Sequence, residues 1–416
     1  MNSWQTVPEG ETEDTGGFWR WTQLPWLDRR RLDFYPRALF VAFLAAIVAW
    51  TARTVANGMI DPMGRAIGCD FVQYWSAARA VLEGSSAAVY DFRAFQAFEN
   101  MAVGAIVPEF PWHYPPPLLL LVTPLGLLPY LGALVLWYAS GLAAFVALLS
   151  RIARSRTELW IGLAFPATLI AIAYGQIDLL LAGAFGFGLL LLDTRPLAAG
   201  ALFALVALKP QLAPLLPVAL LVSGRWRAFG AAAMCLAALI AASWLAFGTA
   251  TWQAYLDDIS ELRQLYEHWQ IPWYRVPSFF VTTRLLGGGL ALAYLVQIVA
   301  ALAGLVSVIW AWRGRGRPDL QAAVLVVADA LVSPYLFDYD LVLLVLAMAW
   351  LGQHAVERGW LRGEKPALVA IWLGPFLSLL SAVLLHVHVE PLLVAVFLGL
   401  ACRRLARERH AVEAVE

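Results

Sequence analysis

Asp70 has a residue type and a setting that could support acid–base chemistry. It lies in the stretch IGCDFVQYW (67–75), where glycines predict a turn and the apolar residues that follow recur at helical spacing until Gly84. A carboxylate at such a helix start can cap the helix and favour its dipole. Alternatively, the apolar and aromatic setting can make it a general base that takes a proton from a hydroxyl group. The sequence leaves both interpretations open.

Two cations occupy positions that favour an anionic ligand. Lys209 sits between two apolar runs in LKPQLAP (208–214), where a lysine needs a water-filled cavity, an interface or an anionic partner. Arg275 lies among aromatic residues in IPWYRVPSFF (271–280), and an arginine can bind a phosphate through two parallel hydrogen bonds. The alternatives are that Lys209 snorkels to the membrane surface and that Arg275 meets lipid headgroups.

Other polar residues give weaker signals. His113, which precedes three prolines, is interpreted either as a ligand-binding residue or as an interfacial histidine. Asp338 and Asp340 are two residues apart and cannot share one helical face, so we expect at most one of them to point into a site. His386 and His388 lack further ligands at metal-binding spacing. We therefore predict no structural metal site and no cofactor, and a divalent metal stays open as an alternative that no residue spacing supports.

The composition requires the chain to place most of its surface in lipid. Its 416 residues are 61% hydrophobic and only 14% charged, with a mean hydropathy of +0.69. A soluble domain carries about 25% charged residues, so the composition predicts an all-α polytopic membrane protein surrounded by membrane lipids. The net charge is zero and the basic residues fall in short loops, so no nucleic-acid partner is expected. No P-loop, GxSxG or HExxH motif is present.

Arginine clusters order the chain across the membrane. They fall at 29–37, 151–156, 225–227, 313–317, 358–365 and 403–408. Placing all of them in the cytoplasm, as the positive-inside rule favours, predicts about twelve spans with both termini inside. The predicted parts are a cytoplasmic tail at 1–37, a single membrane domain at 38–402 and a second cytoplasmic tail at 403–416.

Two long loops, 57–114 and 249–287, are then predicted on the non-cytoplasmic side, each with an amphipathic helix. The proline-rich run 114–130 is apolar, but counting it as a crossing would put the next arginine cluster outside. It is therefore interpreted as a short or re-entrant segment. The same arrangement places Asp70 and Lys209 on the same, non-cytoplasmic side of the membrane. We expect a site that opens away from the cytoplasm.

Several short strings occur in an order that resembles a known family. The first loop has G-x-D-F-x-x-x-W-x-A-A from Gly68, and the later strings are YPPP (114–117), GQ (175–176), KPQ (209–211), PSFF (277–280) and PYLFDYDLVLL (334–344). Over most of its length the chain resembles glycosyltransferase family 87, the polyprenyl-phosphate-mannose-dependent mannosyltransferase-like membrane proteins of the GT-C superfamily. One departure is GQID, where Asn or another small polar residue is expected in place of Ile177 or Asp178.

The resemblance implies a GT-C-type bundle that takes a sugar, such as the hexose mannose, from a polyprenyl-phosphate donor. The sugar would pass to a hydroxyl of a glycolipid or polysaccharide acceptor on the non-cytoplasmic face of a bacterial inner membrane. Asp70 aligns with the catalytic aspartate of the first loop and would act as the general base. One base and direct displacement imply inversion at the anomeric carbon, because a retaining route needs a second, closely placed carboxylate.

The resemblance also assigns expected binding roles. The donor phosphate would be bound by Lys209, Arg275 and Gln211. The residues expected to bind the substrates are Gln73, Tyr74, His113, Tyr114, Gln176, Tyr335 and Asp338.

Three other functions remain as alternatives. A ligase that moves a whole lipid-linked glycan shares the donor chemistry and cannot be separated by sequence. A transporter or flippase of lipid-linked saccharides would show repeat symmetry between the two halves, and the two long loops differ in length and motif. A non-catalytic scaffold gives no reason for Asp70 and Lys209 to share a face.

Overall fold

A computed structural model describes residues 24–108, 110–268 and 271–413, and its regular elements in these ranges are all helical. The predicted all-α class is confirmed. The α-helices are α1 (Arg29–Ala56), α2 (Phe71–Leu82), α3 (Phe92–Val103), α4 (Pro116–Val122), α5 (Tyr130–Ile152), α6 (Arg156–Leu163), α7 (Pro166–Tyr174), α8 (Asp178–Leu191), α9 (Pro196–Val206), α10 (Leu216–Val222), α11 (Trp226–Glu267), α12 (Phe279–Leu285), α13 (Leu290–Arg313), α14 (Pro318–Val332), α15 (Leu344–Arg358), α16 (Glu364–Leu385) and α17 (Glu390–Glu413). Short 3₁₀ helices cover Ser86–Tyr90, Thr123–Leu127, Pro210–Leu212, Trp273–Arg275 and Asp340–Leu343.

Several helices are long and apolar enough to cross a membrane. Six pass this test in the described ranges, and they are Arg29–Ala56, Tyr130–Ile152, Trp226–Glu267, Leu290–Arg313, Asp340–Arg358 and Glu364–Leu385. The bent pair α6 and α7, whose axes differ by 53°, makes a seventh if it is one span. The break falls before Pro166, which has no N–H group to continue the ladder of a preceding helix. The chain is therefore an integral membrane protein by length and composition of its helices.

The predicted count of twelve spans is not confirmed. Helices α8 and α9 have 14 and 11 residues, so at 1.5 Å per residue each is shorter than the roughly 30 Å hydrocarbon layer. The run 114–130 contains only the short apolar stretch Pro116–Leu127, in keeping with its interpretation as a segment below spanning length. The domain limits and the cytoplasmic tails stay predictions, and residues 1–23 of the first tail lie outside the described residues.

Charged residues mark two ends of the bundle. Helix α1 begins at Arg29 and leads at its other end into the loop that carries Asp70. Helix α5 runs the opposite way, because Tyr130 at its start donates a hydrogen bond to the carbonyl of Ile67, while Arg151 lies in its last turn. We call these the Asp70 end and the arginine-rich end. Helix α1 has 28 residues, so the two ends are about 40 Å apart.

Helix α11 supplies the amphipathic helix predicted in the second loop. Its 42 residues are interrupted at Gly248, whose φ of 75° and ψ of 175° are not helical. A side chain would be strained at this φ, whereas glycine adopts it without a steric penalty. The part that follows the break packs on the first loop, because Thr251 lies 2.8 Å from Ser86 and Tyr255 packs on Tyr90. The two long loops are therefore in contact at the Asp70 end.

Helix α14 lies in the middle of the bundle. Most of its side chains are buried against α13, α15 and α17, and the buried ones include the polar residues Gln321 and Asp329. A helix that is buried on most sides gives no clear amphipathic stripe in the sequence. It ends at Val332, and the non-helical segment SPYLFDYD follows directly at the Asp70 end. The buried helix thus holds Asp338 and Asp340 at a fixed place.

Candidate active site

Asp70 is placed by a tight backbone turn. Gly68 and Cys69 have φ angles of 82° and 47°, and the N–H of Asp70 then donates to the carbonyl of Tyr174 at 3.1 Å. A non-glycine residue such as Cys69 adopts this conformation only when its surroundings impose it. Asp70 directly precedes helix α2, but its side chain makes no capping hydrogen bond. The expected capping hydrogen bond is therefore absent, although Asp70 does lie at the N-cap position of α2, where its charge can interact with the helix dipole.

Gly175 brings a second segment against this turn. A Cβ atom at this position would lie 2.7 Å from the carbonyl oxygen of Gly68, closer than any side chain tolerates. Its φ of 63° also favours glycine. The next residue, Gln176, donates from Nε2 to Oδ2 of Asp70 at 2.5 Å. The dipeptide GQ thus has a structural reason at this place, because glycine permits the approach and glutamine holds the carboxyl group.

Two tyrosines fix the other side of Gln176. The Tyr74 hydroxyl donates to Oε1 of Gln176 at 2.7 Å, and the Tyr114 hydroxyl lies 2.8 Å from that of Tyr74. Because the oxygen of the amide faces these donors, its NH₂ group must face Asp70. Gln73, on the same helix as Tyr74, is buried and makes no hydrogen bond to a described residue. The structure thus joins Tyr74, Tyr114 and Gln176 to Asp70, and it leaves Gln73 apart.

The surroundings of Asp70 make its carboxyl group a weaker acid than usual. It is 8% exposed, and burial raises the pKa to about 6, while the charges of Arg275 and Lys209 and the bond from Gln176 lower it. The charge of Asp338 adds to the increase. No described cation contacts Asp70 directly. A carboxylate whose pKa lies close to neutrality has the property that a general base requires.

Lys209 is bound by two carboxylates that the sequence did not predict as its partners. Its ammonium nitrogen lies 2.9 Å from both oxygens of Asp178 and 2.5 Å from Oδ1 of Asp340. It is 2% exposed and lies 4.7 Å from the ring centre of Tyr339. Burial lowers the pKa of Lys209, but the two carboxylates outweigh this effect and hold it above its usual value. Lys209 therefore does not snorkel to a membrane surface.

Arg275 is held in a similar way. It donates from Nε and Nη2 to the two oxygens of Asp338, at 3.1 and 2.8 Å. Its guanidinium carbon lies 3.5 Å from the ring centre of Tyr174 and 5.1 Å from that of Tyr339. The backbone N–H of Asp338 also donates to the carbonyl of Arg275. The side chain is 8% exposed, so it does not reach out to lipid headgroups.

These contacts overturn one expectation about the segment SPYLFDYD. We expected at most one of Asp338 and Asp340 to point into a site, because we treated the segment as the start of a helix. The chain between 333 and 339 is instead a series of turns, so the spacing rule for helices does not apply. Asp338 binds Arg275 and Asp340 binds Lys209, and both cations lie over the ring of Tyr339. Both carboxylates belong to the cluster.

The predicted phosphate ligands are thus already in contact with anions. We define the Asp70 cluster by its charged members and Gln176, which are Asp70, Gln176, Asp178, Lys209, Arg275, Asp338 and Asp340. It contains four carboxyl groups and two cations. Gln211, the third predicted phosphate ligand, is half-buried and forms no hydrogen bond with a described residue. The phosphate-binding roles of these residues remain predictions.

His113 and Tyr335 both contact the second part of α11. The Nδ1 atom of His113 is 3.0 Å from both oxygens of Asp258, which the second part of α11 carries. Tyr335 packs on Tyr266 of the same helix, with ring centres 4.5 Å apart. Asp258 could not be recognised from the sequence, because a carboxylate on an amphipathic helix normally faces water. His113 and Tyr335 help to hold this helix over the Asp70 end.

The described residues do not assemble a metal site. No group of three or more His, Cys, Asp or Glu side chains in the described ranges has the arrangement to hold an ion. His388 bonds instead to the Ser378 hydroxyl at 2.9 Å and to the carbonyl of Trp273 at 2.9 Å. The prediction that the protein needs no cofactor stays a prediction.

A cavity of about 880 Å³ lies away from the Asp70 cluster. It is at the arginine-rich end, where Arg30 of α1, Met348 of α15 and Trp372 of α16 are among the residues that line it. Its walls are mostly apolar, and no residue of the Asp70 cluster lines it. The chemistry that the polar residues could perform is therefore located by the cluster and not by this cavity.

Comparison with known proteins gives the family. Residues 112–334, more than half of the chain, match the model of glycosyltransferase family 87. No curated protein and no solved structure matches the chain. The matched range contains Gln176, Lys209 and Arg275, whereas Asp70 and Asp338 lie outside it. The resemblance found from the short sequence strings is confirmed, and the chain belongs to glycosyltransferase family 87.

Proposed function

We propose that the protein transfers a sugar from a polyprenyl-phosphate donor to an acceptor hydroxyl group, with inversion at the anomeric carbon and with Asp70 as the general base. Family membership supports glycosyltransferase activity. The donor sugar is a hexose such as mannose, and the acceptor is a glycolipid or the end of a polysaccharide. The reaction takes place at the non-cytoplasmic face of a bacterial inner membrane.

One observation carries this proposal. Asp70 is a buried carboxyl group that contacts no described cation and is held by the amide of Gln176, with a pKa raised to about 6. A buried carboxylate kept only for stability is normally paired with a cation, because an unpaired charge is costly to bury. An unpaired carboxylate with a shifted pKa marks a functional site in many proteins. Asp70 is therefore our choice for the base.

The chemistry needs one proton acceptor. The acceptor hydroxyl oxygen attacks the anomeric carbon, and its proton passes to the ionised carboxylate of Asp70. The bond between the anomeric carbon and the phosphate oxygen breaks, and polyprenyl phosphate leaves with that electron pair. The glycosidic bond forms on the opposite face of the sugar, so one displacement gives inversion. A base in this position contributes about 10²–10⁴-fold to the rate.

The two buried cations support the ionised form of the base. Arg275 and Lys209 both lower the pKa of Asp70 through their charges, although neither contacts it. Without them the pKa of the carboxyl group would be higher, so a smaller fraction of Asp70 would be ionised and able to accept a proton at neutral pH. Tyr74 and Tyr114 fix Gln176, and through it they orient the carboxylate. In this proposal their hydroxyl groups also lie beside the bound sugar.

The proposal is tested with purified protein in nanodiscs. Polyprenyl-phosphate sugars with a radiolabelled sugar are supplied together with membrane glycolipids, and lipid-linked product is measured for the wild type, Asp70→Asn and Asp91→Asn. Asp91 is the matched control, because it lies in the same loop but caps helix α3 through the N–H of Ala94. We expect Asp70→Asn to lose about 10²–10⁴-fold in transfer and to keep donor binding, while Asp91→Asn stays active.

Other outcomes would contradict parts of the proposal. Full activity of Asp70→Asn would exclude Asp70 as the base. A product that carries a whole glycan in place of one sugar would support the ligase alternative. Movement of the intact lipid-linked sugar across a vesicle, without any transfer, would support a transporter.

A further inference from the structure

Arg65 is a third cation near Asp70, and the sequence did not single it out. It precedes Asp70 by five residues and lies close enough to Cys69 and Tyr174 for its charge to oppose the rise that burial causes in the pKa of both groups. Cys69 is the residue next to Asp70, and the carbonyl of Tyr174 accepts the hydrogen bond from the N–H of Asp70. Arg65 therefore lies beside the backbone that positions the base.

A small rigid turn presents Arg65. Asp61 accepts hydrogen bonds from the backbone N–H groups of Met63 and Arg65, each at 2.8 Å. The N–H of Asp61 donates to the carbonyl of Arg65, and Ile60 and Ala66 form an isolated β-bridge. These bonds close the loop on itself before Gly68. The position of Arg65 relative to Asp70 is therefore set by local structure and does not depend on a distant helix.

One edge of the Arg65 guanidinium group remains available. Nε donates a hydrogen bond to Oδ2 of Asp61 at 2.9 Å, and Nη2 lies 2.8 Å from the same oxygen in an ion pair. A guanidinium group has five N–H donors, so Nη1 and the second hydrogen of Nη2 form another fork that can bind two oxygens. No described residue accepts a hydrogen bond from Nη1. The Arg65 side chain is 27% exposed, whereas those of Arg275 and Lys209 are 8% and 3% exposed.

The charges around the other two cations disfavour a second anion. Lys209 contacts two carboxylates and Arg275 contacts a third, so a phosphate at either cation would approach carboxylate oxygens closely. Repulsion between like charges at such distances is strong where water is excluded. Arg65, like Arg275, has one carboxylate partner on its Nε–Nη2 edge, and the free Nη1–Nη2 edge lies next to it. Because the Arg65 side chain is 27% exposed and that of Arg275 is 8% exposed, a phosphate can reach the free edge of Arg65 more easily.

We propose that the free Nη1–Nη2 edge of Arg65 binds the phosphate of the lipid donor at the mouth of the Asp70 cluster. This inference rests on the proposed function, because it assumes a polyprenyl-phosphate donor. The phosphate is bonded directly to the anomeric carbon, so a ligand on the Asp70 turn places that carbon within reach of the acceptor. The same cation stabilises the negative charge that the phosphate gains when the sugar leaves.

The test compares a charged and a neutral lipid of the same chain. Binding of polyprenyl phosphate and of the corresponding polyprenol is measured in nanodiscs of neutral lipid for the wild type, Arg65→Gln and Arg65→Lys. Arg93→Gln is the matched control, because Arg93 is an exposed arginine of the same loop that forms no ion pair with a described residue. The transfer assay with radiolabelled donor is run on the same samples.

We expect Arg65→Gln to weaken binding of polyprenyl phosphate by about 10- to 100-fold and to leave polyprenol binding unchanged. The affinity of Arg65→Lys for polyprenyl phosphate should lie between those of the wild type and Arg65→Gln. A lysine keeps the charge but cannot donate two parallel hydrogen bonds. Transfer should fall further than binding, since the leaving phosphate carries more charge than the bound diester. Arg93→Gln should match the wild type in every measurement.

Two results would overturn the inference in different ways. If Arg65→Gln and Arg65→Lys bind polyprenyl phosphate as the wild type does, while the wild type transfers sugar, Arg65 is not the phosphate ligand and the proposed function stands. If the wild type neither binds polyprenyl phosphate nor transfers sugar, the proposed function and this inference fail together. Arg65→Lys retains the charge beside Asp61, so it provides the binding result even if Arg65→Gln does not fold.

Discussion

The two ends of the bundle both bury charged side chains, but they balance the charges differently. At the arginine-rich end, Arg404 donates to Glu364 and to the carbonyl of Gly359, and it also contacts His354. His354 in turn lies 3.1 Å from Glu408. Each carboxylate in this group therefore faces a positive or proton-bearing partner, and the contacts join the ends of α15, α16 and α17.

The Asp70 end does not reach this balance. Its cluster has four carboxyl groups for two cations, and Asp70 contacts only the neutral amide of Gln176. An arrangement that lowers stability in this way is expected where a side chain serves chemistry, whereas paired charges hold helices together. The comparison therefore separates a structural group of ion pairs from a candidate active site.

The largest expected effect is the loss of a buried cation at either end. Lys209→Met leaves Asp178 and Asp340 close together without a positive charge, and Arg404→Met leaves Glu364 without one. Each should lower the free energy of unfolding by about 3–5 kcal/mol, measured by denaturation in detergent with Arg93→Met as the exposed control. If Lys209→Met is as stable as the wild type but inactive, Lys209 is a functional and not a structural cation.

Replacing a carboxylate by its amide should change the free energy of unfolding in opposite directions at the two ends. Asp70→Asn removes a carboxyl group whose pKa is raised from 3.8 to about 6, a shift worth about 3 kcal/mol when the group is ionised. It should therefore increase stability at pH 8. Glu364→Gln should decrease stability at the same pH, because Arg404 loses its partner. If both substitutions changed the free energy of unfolding in the same direction, the two ends would not differ in the way proposed.

The stability gain of Asp70→Asn should depend on pH. The folded-state pKa of Asp70 lies above the unfolded value, so the wild type loses stability as the pH rises from about 4 through about 6. The difference between Asp70→Asn and the wild type should therefore be close to zero at pH 4 and reach its maximum above pH 7. Thermal unfolding across this range measures it, and a difference that does not change with pH would contradict the assignment.

Activity should show the same ionisation. A base that must be ionised makes kcat/KM fall about tenfold for each pH unit below the pKa, here about 6, and level off above it. Gln176→Leu removes a hydrogen bond that lowers the pKa of Asp70. The fall of kcat/KM on the acid side of the pH profile should therefore begin at a higher pH. If the acid side of the pH profile of Gln176→Leu coincides with that of the wild type, a group other than Asp70 controls the loss of activity at low pH.

The smallest effect is expected where the loops meet. One contact that holds the second part of α11 over the Asp70 end is the neutral one between the hydroxyl groups of Ser86 and Thr251. Removing this bond with Ser86→Ala or Thr251→Val should cost about 1 kcal/mol, and the double variant should show coupling of similar size. The readout is hydrogen exchange of the amides in 249–267. No coupling would mean that this contact does not hold the helix.

Part of the site was predictable because its signals are local. Gly68 and the helical spacing after Asp70 predict a turn and a helix, and the structure has α2 at Phe71–Leu82. The prolines around Lys209 predict a break, and the chain there forms only a short 3₁₀ turn. The short strings were enough to suggest the family, which the match over 112–334 confirms.

The partners of these residues could not be predicted in the same way. Asp178 and Asp340 meet at Lys209 from positions 31 and 131 residues away in the chain. Only one of Asp338 and Asp340 was expected to point into the site. The sequence does not show that the segment before Asp340 is non-helical, so the spacing rule for helices was applied to it. Sequence periodicity describes one helix at a time, whereas these contacts depend on how several helices end at the same level.

The sequence by itself determined that the chain is a helical membrane protein, where its helices break and which residue types lie at the breaks. These properties follow from apolar runs, prolines and glycines, which act through the local backbone. Only the tertiary structure decided that Lys209 and Arg275 are neutralised, that Asp70 is not, and that Arg65 keeps a free edge. Burial and charge pairing arise between distant segments, so their energies are fixed only when the helices pack.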